Sequence, residues 1–151
     1  SFREAAKIIT SFTVAHSISL ALATFNVIHL SSSVVEPLIA ASIIYVGLEN
    51  IFRREIKWRW LLTFAFGLIH GLGFATVLRD LGIGSDIGQT VVPLLSFNFG
   101  VELGQIAIAA LVLPLIWKLK RRPSFIPVYV PACSIVLALL GGYWLIERTF
   151  L

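Results

Sequence analysis

Five long apolar runs, separated by short polar links, organise this chain. The first runs from about Ile8 to Leu30 and the second from about Val35 to Phe52. The third covers Trp58 to Leu78, the fourth Val91 to Trp117 and the fifth Ile126 to Ile146. Each is close to the roughly 20 residues that a helix needs to cross the hydrocarbon core of a bilayer. None shows the polar stripe at helical spacing of a helix in a water-soluble bundle. None alternates over about ten residues as a barrel strand does. The pattern predicts an all-α, polytopic transmembrane helical bundle of about five helices, forming a single domain over residues 1–151.

The charges then fix the direction of each crossing. Arg3 and Lys7 precede the first run. Arg53, Arg54, Lys57 and Arg59 lie between the second and third, and Lys118, Lys120, Arg121 and Arg122 between the fourth and fifth. Those are ten of the twelve Lys and Arg, all falling on one side if successive runs alternate in direction. Arg79 and Arg148 fall on the other side, beside Asp80, Asp86 and Glu147. Basic residues in short loops stay on the cytoplasmic side. The expected topology therefore has Ser1 in the cytoplasm and the C-terminus outside. Trp58, Trp60, Trp117, Tyr143 and Trp144 lie near run ends, where interfacial aromatic rings belong.

Composition agrees. Of the 151 residues, 58% are hydrophobic and 13% charged, against roughly 25% charged in a soluble domain. The net charge of +4 is a topology signal, spread over these loops, and does not point to nucleic acid. Cys133 stands alone, so no internal disulfide is possible. The sequence holds no methionine, even at position 1. It is therefore expected to begin downstream of a translation start.

Depth arithmetic singles out the candidate chemistry. At about 1.5 Å per residue, His16 lies about 12 Å and His70 about 18 Å from the cytoplasmic end of its helix. On the descending fourth helix, Asn98 lies about 19–20 Å and Glu102 about 13–14 Å from that same side. Three helices thus bring His16, His70, Asn98 and Glu102 to one layer near the midplane. Asn98, Glu102 and Gln105 share a helix face by their spacing. Glu36 and Asn50 share a face of the second helix, one near each end. His29 and Glu49 fall near the interfaces. Gly67 with Gly71, and Gly100 with Gly104, form small-xxx-small pairs expected to pack the third and fourth helices closely.

A charge at mid-membrane costs roughly 2.5–3.5 kcal/mol even on the lenient insertion scale, so Glu102 must be protonated, paired or bound to a cation. Imidazole and carboxylate together suit a divalent transition metal such as Ni, Co or Zn. The candidate metal ligands are His16, His70, Glu102, Asn98 and Glu36, with Gln105, Asn50 and Ser17 supporting them. Each has a plainer alternative. The histidines can be neutral imidazoles bonded to a facing helix, Glu102 a protonated acid, Glu36 a first-turn carboxylate before Pro37, and Asn50 a helix–helix bonder.

Five stretches carry a resemblance to a known family. They are Thr13–Leu20; Val35–Ile43 with Glu49-Asn50; Phe66–Ala75, which contains Gly67-Leu68-Ile69-His70-Gly71; Phe97–Gln105; and Tyr143–Arg148. In this order they resemble the HupE/UreJ family over nearly the whole chain. The resemblance implies a multi-pass protein of the bacterial inner membrane, acting as an accessory to hydrogenase or urease and regarded as a nickel or cobalt permease. It also implies one more helix upstream, with a His…Gly-x-Asp-His pattern. Possible partners are the bilayer, the metal ion and the maturation proteins of metalloenzymes. Three functions follow: transport or handling of a divalent transition metal; an intramembrane zinc-dependent hydrolase, with a metal-activated water; and a non-catalytic membrane scaffold for metalloenzyme maturation, with the polar layer as interhelical glue.

Overall fold

The computed structural model describes residues 2–52, 58–80, 82, 87–122 and 125–150. The described residues form five α-helices and no strand. They are α1 (Phe2–Thr24), α2 (Ser32–Phe52), α3 (Arg59–Asp80), α4 (Ile87–Leu119) and α5 (Val130–Phe150), with a π-helical turn at Phe125–Tyr129 leading into α5. By length and composition α1, α2, α4 and α5 with its lead-in can cross a membrane. The apolar stretch described in α3 is Arg59–Ala75, and that helix continues to Asp80.

The boundaries differ from the apolar runs where backbone chemistry intervenes. The first run is apolar to Leu30, but α1 stops at Thr24. Asn26 takes a left-handed φ of 66°. Its N–H bonds to Ala23 O at 3.2 Å, and Val27 N–H reaches back to Leu22 O at 2.8 Å. That is a Schellman stop, with asparagine in the position usually held by glycine. Its apolar continuation, Val27 and Ile28, hides it from a hydropathy pattern. The fifth run begins at Ile126, whereas the α-helix begins at Val130, directly after the π-helical turn. Pro131, which has no N–H to donate, sits at that junction.

The helices pack in the order α4, α1, α3, α2, α5. The pairs α1–α3 and α2–α5 are the extensive ones, and α2–α3 and α1–α4 are slimmer. Glycines set the close pairs. A Cβ at Gly67 would lie 2.6 Å from Phe12 O and 2.9 Å from Ala15 Cβ, and one at Gly71 would strike Ser19 Oγ and His16 O. The α1 surface answering these glycines carries Ala15 and Ser19, small residues four apart. Likewise, a Cβ at Gly47 would lie 2.8 Å from Ser134 O, and one at Gly141 would lie 3.2 Å from Ala40 O.

This corrects the expected partner of the α3 glycines. They pack on α1, because α1 offers the matching small-residue surface. Gly100 and Gly104 on α4 have nothing within 4 Å of an added Cβ. The paired residues also give directions. Phe12 faces Gly67 and Leu20 faces Gly71, so α1 and α3 run parallel, while α2 and α5 run antiparallel. Thr13 with Gln105 and His16 with Asn98 set α4 antiparallel to α1, and Tyr45 with Phe66 and Ile39 with Gly73 set α2 antiparallel to α3, so successive helices alternate in direction.

Buried Leu20, Ala23, Ala75, Leu78 and Leu94 form a cluster joining α1, α3 and α4 near one end. Elsewhere large apolar side chains face outward, among them Leu111 at 76% and Leu139 at 68% exposed. In water such a continuous apolar surface drives aggregation. In lipid it needs no cover, since the hydrogen-bonding demand of the backbone is met within each helix.

Candidate functional site

The seam between α1 and α4 carries the polar layer. His16 is 2% exposed on α1. Its ring is stacked against Phe12 at 5.8 Å and Phe97 at 6.1 Å between centroids, and Phe74 lies tilted at 6.0 Å. Its Nδ1 lies 3.2 Å from Asn98 Oδ1. Asn98 Nδ2 donates to Leu94 O at 2.9 Å on its own helix. The amide is thereby turned so that Oδ1, an acceptor, faces His16. Nδ1 of His16 must then carry the proton, which leaves Nε2 with a free lone pair.

His70 on α3 follows the same logic with a different partner. Its Nδ1 lies 2.8 Å from Phe66 O, one helical turn back. A carbonyl only accepts, so Nδ1 carries the proton and Nε2 is again free. Fixing one ring nitrogen by a hydrogen bond so that the other can bind is what metal-ligating histidines require. The two histidines are level on parallel helices, since Gly71 abuts the backbone of His16. Phe12 lies between them, 5.8 Å from one ring and 5.5 Å edge-on to the other.

Each histidine neighbours a different opening. A cleft of about 490 Å³ beside the His16–Asn98 pair is lined by Thr13, Ser17, Ser96, Asn98, Phe99 and Glu102. Ser17 Oγ lies 2.9 Å from Asn98 Oδ1 and 2.7 Å from Thr13 O, so its single proton is shared between them. Glu102 lies one turn below Asn98 and forms no hydrogen bond or ion pair among the described residues. Gln105, another turn on, accepts a 3.0 Å hydrogen bond from Thr13 Oγ1. His70 instead lines a cavity of about 340 Å³ between α2, α3 and α5, with Ser42, Thr63 and Phe66.

The structure thus joins His16, Asn98 and Ser17 directly, sets Glu102 in the same cleft, and holds His70 level with them across Phe12. It does not bring in Glu36 or Asn50. Glu36 Oε2 lies 3.1 Å from Arg148 Nε, tying the start of α2 to the end of α5. Asn50 Oδ1 accepts from Arg59 Nη2 at 3.2 Å at the opposite end of α2. Among the described residues, no three His, Cys, Asp or Glu side chains converge. His29 is exposed in the link between α1 and α2. Glu49, expected at an interface, is 9% exposed and takes a 3.2 Å hydrogen bond from Tyr45 Oη.

Depth alone missed the aromatic box of Phe12, Phe74 and Phe97 around His16, and the part played by Thr13. A signal for part of it stands in the sequence. Phe12 precedes His16 and Phe66 precedes His70 by four residues each, which puts a phenylalanine one turn beneath each imidazole.

No curated protein and no solved structure matches this chain. The family model described as HupE / UreJ protein matches residues 1–148. With a match over nearly its whole length and helices able to span a membrane, the chain belongs to the HupE/UreJ family of multi-pass membrane proteins.

Proposed function

We propose that this protein moves a divalent transition-metal ion across the membrane, with nickel or cobalt as the cargo. One observation carries this reading. At one level of the bundle, two imidazoles have Nδ1 tied down and Nε2 left open, and the carboxylate of Glu102 has no partner among the described residues. Neutral imidazole nitrogens with a carboxylate oxygen are borderline ligands, suited to Ni²⁺ and Co²⁺. A carboxylate at that depth calls for a cation or a proton. Membership of the HupE/UreJ family supports nickel or cobalt over other metals of similar preference.

In this reading the ion meets its ligands in succession and not as one shell: Glu102 and His16 Nε2 beside the cleft of α1 and α4, and His70 Nε2 at the cavity between α2, α3 and α5. Asn98 and Ser17 orient His16. Sparse, mixed ligation suits a cargo that must leave again, in contrast to the closed tetrahedral shell of a structural zinc site. Membership of the HupE/UreJ family supports a location in the bacterial inner membrane, and the loop charges support an orientation with Ser1 cytoplasmic and the C-terminus outside. Maturation proteins of nickel enzymes are the natural recipients of the ion.

Uptake of Ni²⁺ and Co²⁺ into proteoliposomes tests the proposal. His70→Ala and Glu102→Gln should each lower uptake by about tenfold or more, the scale of losing one ligand from a weak site. Unchanged uptake in both variants would overturn it.

A scaffold reading draws on the same hydrogen bonds. His16–Asn98 and Thr13–Gln105 join α1 to α4 as interhelical glue does. It predicts stability lost on substitution, with no metal bound at saturating concentration.

A further inference from the structure

The helix α4 is held unlike the others. The pairs α1–α3 and α2–α5 close on glycines whose added Cβ would meet backbone atoms of the facing helix. Gly100 and Gly104 of α4 meet nothing within 4 Å. Among the described residues, what ties α4 to α1 is the Leu20–Leu94 cluster at one end, then His16 and Ser17 with Asn98, then Thr13–Gln105. Within its 33 residues α4 also contains Pro93 and Pro114, and each removes one rung of the helix hydrogen-bond ladder. The segment between them carries every polar contact just named.

The Thr13–Gln105 bond marks a boundary along this seam. On one side is the cleft lined by Thr13, Ser17, Asn98 and Glu102. On the other, the groove between α1 and α4 continues for about 420 Å³ past Ile8, Ile9, Ile108, Ala109 and Val112. Gln105 and Thr63 are its polar exceptions. A hydrated or partly stripped divalent cation therefore has ligands down to Gln105 and almost none beyond it.

The bond is also built to open. Thr13 Oγ1 has one proton and two acceptors in reach, Gln105 Oε1 at 3.0 Å and Ile9 O at 3.1 Å. When α4 moves away, the proton passes wholly to Ile9 O and the hydroxyl is never left unpaired. Gln105 Oε1 is then released, a neutral oxygen able to take one place in the coordination shell of a passing ion.

We infer that the Thr13–Gln105 hydrogen bond is the inner closure of the cation cleft, and that α4 moves to open it. This rests on the transport reading above, and the test separates the two. Ser96 lines the cleft without a hydrogen bond to the pair. In a Cys133→Ser background, Ser96→Cys is exposed in sealed proteoliposomes to a membrane-impermeant methanethiosulfonate from each face in turn. Labelling should come from the Ile87 end of α4 and not from the Lys118 end. Adding Gln105→Ala should raise labelling from the Lys118 end by about three- to tenfold, the shift expected from one interhelical hydrogen bond in a bilayer. Thr13→Val should act in the same direction.

Equal labelling from both faces with Gln105 in place overturns the closure, as does no labelling from either. So does one-sided labelling that neither substitution changes. Ni²⁺ uptake by the unsubstituted protein is measured alongside. Uptake with two-sided labelling sinks the closure alone. One-sided labelling without uptake sinks the transport reading, and with it the role of this bond as a gate.

Discussion

His16 Nδ1 lies 3.2 Å from Asn98 Oδ1, joining α1 to α4 inside a box of three phenylalanines. The bond fixes both the proton on His16 and the plane of its ring. Asn98→Leu removes the acceptor and leaves the imidazole free to turn and change tautomer. Losing such an orienting partner typically costs a metal site about 10–100-fold in affinity. Asn98→Asp keeps an oxygen in place and should retain binding. Titration of the detergent-solubilised protein with Co²⁺, followed by visible absorption, compares the two. Equal affinity in both variants would show that Asn98 does not act through His16.

The close contact of α1 with α3 yields a second prediction. Gly71→Ala places a methyl group against Ser19 Oγ and the backbone oxygen of His16. Neither helix can yield there without moving His16 itself. Overpacking of this kind costs about 1–3 kcal/mol. Gly104→Ala adds the same methyl into open space, and its greater helix propensity should leave stability unchanged or slightly raised. Thermal unfolding of the two variants in one detergent gives the comparison. A Gly71→Ala protein as stable as the parent would mean that the helices are not in contact at that glycine.

These two contacts show what the sequence carries and what it withholds. Apolar run length and loop charge carry the number of helices and their alternating direction, because a bilayer fixes helix length. Depth arithmetic carries the layer of His16, His70, Asn98 and Glu102, because helix rise is nearly constant. Neither carries rotation about a helix axis or choice of neighbour. Gly67–Gly71 and Gly100–Gly104 read alike as spacings, yet only the first pair meets a surface of small residues, Ala15 and Ser19. The ring of Phe12 between His16 and His70 depends on rotation in the same way. The Glu36–Arg148 pair depends on which helix lies beside α2.

Thr24 offers a test of burial. It is 1% exposed, and its Oγ1 has no hydrogen-bond partner among the described residues. An unpaired buried hydroxyl carries its desolvation cost with no return, on the order of 1–3 kcal/mol. Thr24→Val keeps the shape and removes the hydroxyl. The variant should be as stable as the parent or more stable by about 1 kcal/mol. Unfolding by denaturant in micelles reads this out, and a clear loss of stability would mean that the hydroxyl is bonded in the protein.

The Glu36–Arg148 pair decides the role of the one candidate ligand that lies away from the cleft. The two side chains meet at 3.1 Å with both partly open to their surroundings, so the pair is worth about 0–1 kcal/mol. If Glu36 only pins α2 to α5, Glu36→Gln and Arg148→Gln remove the same interaction. They should then lower stability by similar small amounts, and the double substitution should add little to either. If Glu36 instead binds the ion on its way to the cleft, Glu36→Gln alone should weaken Co²⁺ binding or Ni²⁺ uptake. Arg148→Gln should then leave both unchanged or strengthen them, by releasing the carboxylate from its partner. A double-mutant cycle on stability, with Ni²⁺ uptake measured for the same proteins, separates the two. The structure favours equal effects on stability and no separate effect on uptake, because the carboxylate already has a cation beside it.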